Sequence, residues 1–213
     1  MNHVQKTLAI TVLITAVLGL SACGSDGSAE PAAGGTSSMT MATTPPAVAA
    51  EATASSGATA TGPHNFADID FAMAMIPHHA QALEMARIVL ERTGNAEIKE
   101  LATKIEAAQT PEITTLSGWL TAWGAPVPDL SSTDGMAMHG MMSAADLRKL
   151  KSTSKVDALF LAQMSEHHAG AIAMAKTELK SGSNPQAKAL AQSIKTAQAA
   201  EISQMKAMLA ALG

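Results

Sequence analysis

Apolar residues recur at intervals of three and four along the second part of the chain, which is the spacing of one face of an α-helix. Phe71, Met75, Ala82 and Met85 form the first such stripe, and another begins after a break at Gly94-Asn95. No stretch alternates β-branched or aromatic residues with polar ones, so the pattern gives no strand signal. It predicts two helices joined by a short turn, that is, a helical hairpin.

The hairpin is duplicated along the chain. Residues 68–121 align without gaps with residues 157–210, and 20 of the 54 aligned positions are identical. Such a density of identities marks an internal repeat. The break in the second copy ends in Pro185, which suits the first position of a helix. Two hairpins predict an all-α fold, a four-helix bundle made of two duplicated helical hairpins.

A long, methionine-rich connection joins the hairpins, from Gly124 to Ser143. The spacing of Ser143 and Asp146 predicts that a short connecting helix begins at its end. An exposed loop has little reason to be as apolar as the second half of this one, where methionine and histidine crowd together. These residues are Met136, Met138, His139, Met141 and Met142.

The beginning of the chain is typical of an exported lipoprotein. Lys6 precedes an apolar run that is short for a membrane span and suits a signal peptide. The run ends in Leu20-Ser21-Ala22-Cys23, which matches the bacterial lipobox. We therefore expect residues 1–22 to be a lipoprotein signal peptide and Cys23 to carry the lipid. The alternative is a plain signal peptide followed by a chance cysteine.

Residues 23–63 consist almost entirely of Ala, Ser, Thr, Pro and Gly. Such a composition cannot bury enough apolar surface to offset the entropy of ordering, so it predicts a flexible tether. The duplicated domain then occupies residues 64–213. Together these features predict a protein of the bacterial cell envelope, lipid-anchored on the extracytoplasmic face of a membrane.

Composition excludes several classes of function. Aromatic residues make up 2% of the chain and the net charge is −4, so neither base stacking nor phosphate attraction supports nucleic-acid binding. A single cysteine excludes a disulfide scaffold and a cysteine-based zinc cluster. No nucleophile–histidine–acid context and no phosphate-binding glycine loop is present. The unusual features are 14 methionines and 7 histidines.

Two adjacent histidine pairs occupy equivalent positions of the two copies. A polar imidazole on a buried face needs a polar or metal partner to offset the cost of its desolvation. Apolar packing alone does not supply such a partner. Duplicated hairpins related by pseudo-two-fold symmetry bring equivalent pairs to the same level. A metal site is therefore predicted, although methionine at helical spacing also serves as ordinary core filling. The proposed ligands are His78, His79, His167, His168, Met75, Met164, Met85 and Met174.

The ligand types indicate the metal. Thioethers and imidazoles without a thiolate favour Cu(I), and imidazoles also hold Cu(II), whereas zinc gains little from methionine. We expect copper, with Cu(I) favoured and Cu(II) possible. The connection adds further candidate ligands suited to copper capture and exchange, namely Met138, His139, Met141 and Met142.

Duplicated carboxylates keep a second interpretation open. Asp68 and Asp157 precede the histidine pairs, and Glu112 and Glu201 occupy equivalent positions in the second helix of each hairpin. A ferritin-like di-iron centre uses Glu-x-x-His, which occurs nowhere in the chain. A mixed histidine–carboxylate site remains an alternative. The acids also suit helix N-termini and a polar rim.

The motifs that carry a family resemblance are His64-Asn65-x-x-Asp68-x-x-Phe71-x-x-x-Met75-Ile76-Pro77-His78-His79-x-x-Ala82-x-x-Met85-Ala86 and Phe160-Leu161-x-x-Met164-x-x-His167-His168-Ala169-Gly170-Ala171-Ile172-x-Met174-Ala175. Over residues 64–213 the chain resembles the domain-of-unknown-function 305 family. The resemblance implies a ferritin-like four-helix bundle, often exported or lipid-anchored, and some members are implicated in copper binding and resistance. By position it adds Asp68 and His64 to the candidate metal ligands. Thr153-Ser154 replaces His64-Asn65 in the second copy.

The sequence thus predicts a lipid-anchored, extracytoplasmic copper-binding protein that sequesters or hands on the metal and is not an enzyme. Its expected partners are the membrane, through Cys23, and a copper-transfer protein, with no nucleic acid. One alternative is a ferritin-like metal-dependent oxidoreductase. Another is a structural or interaction lipoprotein whose histidine pairs are only polar core.

Overall fold

A computed structural model of the chain describes residues 62–130 and 140–213. These residues form helices and loops without a strand, which confirms the all-α prediction. The predicted signal peptide, Cys23, most of the tether, Met136, Met138 and His139 lie outside the described residues. Within the described part, the helices are α1 (Phe66–Arg92), α2 (Ala96–Ala122), α3 (Ala144–Ser152), α4 (Val156–Ser181) and α5 (Pro185–Leu212). None of them is long and apolar enough to cross a membrane.

Asparagine and serine caps fix where the helices begin. Asn95 and Asn184 stand at equivalent positions, and each side chain accepts two backbone N–H groups at the start of α2 or α5. Such caps satisfy amide groups that have no partner within the helix. Ser143 forms a capping box with Asp146 at the start of α3, as the spacing of these residues predicts. The positions of the hairpin turns are therefore determined by the local sequence.

Each hairpin packs on itself, α1 against α2 and α4 against α5, and the hairpins meet through α1 and α4. The start of α1 lies beside the end of α4, where Asp68 accepts backbone N–H groups of Ser183 and Asn184. At the other end, the Arg92 guanidinium donates to the carbonyls of Leu150 and Thr153. Helices α1 and α4 therefore run antiparallel through the centre of the molecule.

The core is divided into two apolar clusters. The first contains the buried apolar residues between Ala82 and Val89 except Leu83, together with Phe160 and Met164 of α4. The second contains Phe71, Ala72, Met75 and Ile76 of α1 together with Ala171 and Ala175 of α4. The histidine pairs lie between these stretches on both helices, so they separate one half of the core from the other.

Candidate metal centre

Four buried histidines form a layer at the crossing of α1 and α4. His78, His79, His167 and His168 are each at most 1% exposed. The rings of His78 and His167 are in contact, with centroids 3.7 Å apart and planes inclined by 37°. The duplication thus brings equivalent histidines from the two copies together across the α1–α4 interface. We call these four residues the histidine layer.

In each hairpin, a glutamate side chain of the second helix hydrogen-bonds to the second histidine of the pair. The Nε2 atom of His79 lies 2.7 Å from Oε2 of Glu112, and His168 and Glu201 repeat this contact at the same distance. Since a carboxylate oxygen can only accept, Nε2 carries the hydrogen in both pairs. In the form that binds metal, the ring presents the lone pair of Nδ1 on its other side. A carboxylate behind a metal-binding histidine orients the ring in this way at known metal sites.

Three ring nitrogens of the layer are left without a hydrogen-bond partner among the described residues: Nδ1 of His79, Nδ1 of His168 and Nε2 of His167. A buried polar atom that lacks a partner costs about 1–3 kcal/mol, so such atoms are uncommon in folded proteins. Burial, and then the neighbouring imidazoles, hold the pKa of His167 well below its ordinary value. The ring is therefore neutral, which is the form that binds metal.

The candidate methionines lie on both sides of the histidine layer and do not converge. Met85 and Met164 are fully buried in the first apolar cluster, together with Met142. Met75 is fully buried in the second cluster, and Met174 packs against it partly buried. Met141 is half-buried. Thioethers therefore flank the layer above and below along α1 and α4.

Asp68 and His64 lie far from the layer. Asp68 stands eleven residues before His79, which is about 16 Å along a helix, and it accepts backbone N–H groups of Asn65 and Asn184. His64 is exposed and its ring stacks on Trp123 with centroids 4.8 Å apart. The structure therefore gives Asp68 a capping role and leaves His64 at one end of the bundle.

The residues described contain no cluster of three or more His, Cys, Asp and Glu side chains that is already arranged to hold a metal ion. The His78 and His167 rings are in direct contact with their planes inclined by 37°.

The sequence leaves Glu112 and Glu201 as alternative metal ligands or as part of a polar rim. In the structure each is paired with the second histidine of its own hairpin. A signal for this pairing was present, since His79 to Glu112 and His168 to Glu201 are both separated by 33 residues. A separation preserved in both copies indicates a contact that both copies make.

Comparison with known proteins agrees with this architecture. A family model described as a domain of unknown function, DUF305, matches residues 68–209. No curated protein matches the chain. A solved DUF305 protein of Streptomyces coelicolor, described as a candidate secreted protein, is 35% identical, with a TM-score of 0.62, over 68% of this chain and 92% of its own.

Structures of the protein CopM are also similar. The Cu(II)-bound form is 31% identical with a TM-score of 0.63, over 68% of this chain and 97% of CopM. The Cu(I)-bound form is 33% identical with a TM-score of 0.58, over 68% of this chain and 96% of CopM. The family model spans most of both hairpins. The chain therefore belongs to the DUF305 family.

Proposed function

We propose that this chain is an extracytoplasmic, lipid-anchored copper-binding protein that sequesters the metal or hands it to another protein. The observation that carries the proposal is the histidine layer, in which three buried ring nitrogens lack a partner among the described residues. Polar groups are seldom buried in this state unless something else satisfies them. Copper binding by CopM, which shares about a third of its aligned residues with this chain, supports copper as that ligand.

The donor set fits copper chemically. Neutral imidazoles bind both Cu(I) and Cu(II), and the thioethers of Met85 and Met164 add soft ligands that favour Cu(I). Glu112 and Glu201 fix the rings of His79 and His168 with Nδ1 available. In this proposal the His78 and His167 rings turn apart when the metal enters. Copper is cargo here, so no further binding pocket is needed.

A titration with Cu(I) against a competing chelator tests this function. The variant in which all four layer histidines are changed to Ala should bind at least about 100-fold more weakly, because loss of even a supporting partner costs 10–100-fold at metal sites. His64→Ala is the matched control, since His64 is exposed and remote from the layer, and it should bind like the natural chain. Circular dichroism checks that each variant remains helical. Equal binding by the natural chain and the four-histidine variant would contradict the proposal.

The same protein tests whether the metal is turned over. In our proposal the Cu(I)-loaded chain exposed to air does not cycle repeatedly between oxidation states, since a store needs no open position for a substrate. Absorption spectra and oxygen consumption measure this directly. Sustained oxygen uptake with added Cu(I) would favour the metal-dependent oxidoreductase instead.

A further inference from the structure

A segment of three residues, Gly140–Met142, lies across the two helices that carry the histidine layer. The side-chain amide of Gln81 in α1 donates to the Met142 carbonyl over 2.9 Å and accepts the Met142 N–H over 2.7 Å, both as buried bonds. At the other end, a Cβ atom on Gly140 would lie 2.8 Å from Cα of Gly170 and 2.9 Å from the carbonyl of Glu166 in α4. The segment is therefore hydrogen-bonded to α1 at Met142 and lies in close contact with α4 at Gly140.

The residues of α1 and α4 that contact the segment, Gln81 and Gly170, occupy equivalent positions of the duplication. Gln81 and Gly170 align in the two copies, and each is the third residue after the first histidine of its pair. Three residues correspond to about 4.5 Å along a helix axis, so both points lie within one turn of the histidine layer. The copies differ here because one residue must bond the segment and the other must leave room for Gly140.

The segment covers the side of the layer that is richer in buried thioethers. Met142 is buried in the first apolar cluster together with Met85, Met164 and Met205. On the other side, Met75 is the fully buried methionine of the second cluster. Met164 lies three residues, about one helical turn, before His167 and belongs to the same cluster as Met142. Unbranched thioethers adapt their shape easily and bind Cu(I).

We propose that Cu(I) reaches the histidine layer from this side, through the thioethers of Met142 and Met164. Gly140 and Gln81 are positioning residues that hold the segment across α1 and α4. This inference rests on the proposed copper function and adds to it a direction of loading. Cu(I) would then enter the pseudo-symmetric bundle from one face only, the face that carries Gln81 of the first copy and Gly170 of the second.

Two glycine variants test the positioning role. Gly140→Ala adds a Cβ atom at a positive φ of 82° and against α4, whereas Gly124→Ala adds one at a positive φ of 69° with no atom within 4 Å. Both carry the backbone cost of a side chain at positive φ, and only Gly140→Ala displaces the segment. The readout is the rate at which the full chain, without oxygen, takes Cu(I) from a coloured chelator complex. We expect Gly140→Ala to load about tenfold more slowly, the size of effect that displaced supporting groups have at metal sites, and Gly124→Ala to load like the natural chain.

A pair of methionine variants tests the path itself and does not depend on the glycine variants folding. Met164→Leu and Met75→Leu change equivalent, fully buried methionines and nearly conserve volume. Met164→Leu should slow loading several-fold more than Met75→Leu. Equal loading rates in this pair, or equal rates for the two glycine variants, would overturn the inference about the loading direction. The proposed copper function would still hold in that case if the natural chain binds Cu(I). A natural chain that takes up no Cu(I) would overturn both.

Discussion

Changing Asp68 to Ala should lower the free energy of unfolding by about 3–5 kcal/mol, whereas changing its duplicate Asp157 to Ala should cost about 1 kcal/mol or less. Asp68 is fully buried and joins the start of α1 to the turn between α4 and α5. Its carboxylate accepts the backbone N–H groups of Asn65, Ser183 and Asn184. Removal of the carboxylate leaves these amides without their acceptor.

Asp157 occupies the same position in the second copy but has different surroundings. Its Oδ1 atom has no hydrogen-bond partner among the described residues, and no side-chain bond caps the start of α4. Its contribution is therefore mainly that of a charge near a helix N-terminus. Urea unfolding at constant slope measures both variants. Asp68→Asn, which keeps one accepting oxygen, should fall between them, and equal losses for Asp68→Ala and Asp157→Ala would contradict the assignment.

The repeat explains why so much of the fold could be predicted from the sequence. Breaks at Gly94-Asn95 and before Pro185 mark the hairpin turns because capping and proline act locally. The meeting of His78 and His167 follows from symmetry, since equivalent residues of two copies approach each other at a pseudo-two-fold axis. Helical spacing and self-alignment are therefore enough to predict the centre of the molecule.

The ends of the bundle could not be predicted in the same way. Asp68 and Asp157 are identical, yet only Asp68 faces Glu178, because Val89 replaces that glutamate in the other copy. Identity at one position says nothing about the partners contributed by another helix. The family resemblance adds Asp68 to the candidate metal ligands, and in the structure its carboxylate joins the two hairpins.

The placement of the methionines was also beyond sequence reasoning. Met75 and Met164 share one helix face with the histidines in their own copies, which predicts that all of them approach one site. An antiparallel crossing of α1 and α4 instead carries Met75 to one side of the layer and Met164 to the other. The position of Gly140–Met142 distinguishes these sides, and it depends on a contact between residues 61 positions apart, Gln81 and Met142. The two copies thus have the same histidine pairs at the crossing of α1 and α4. They differ where they contact a segment that occurs only once in the chain, such as Gly140–Met142.

Glu178 should make the protein less stable as the pH rises from about 6.5 to 8, a trend that Glu178→Gln should abolish. Burial, and then the hydrogen bond and the charge of Asp68, raise the pKa of Glu178 to about 8. The folded protein therefore keeps a proton that the unfolded chain, with its ordinary glutamate pKa near 4.5, has already released. Stability falls with rising pH throughout this window, by up to about 1.4 kcal/mol per pH unit, and the full loss is reached above pH 8.

The other groups around this carboxyl do not reverse the sign. The Lys188 charge lowers the pKa of Glu178, and its effect is already contained in the value of about 8. Burial raises the pKa of Asp68, but hydrogen bonds from Asn65, Asn184 and Glu178 outweigh it, so the pKa of Asp68 is held below its ordinary value. The lowered pKa of His167 opposes the trend only while the unfolded imidazole, with its ordinary pKa of 6.5, still binds protons, and this effect is common to both proteins. Urea midpoints of the natural chain and Glu178→Gln at pH 6.5, 7.25 and 8 measure the difference, and parallel pH profiles for the two would refute a protonated Glu178.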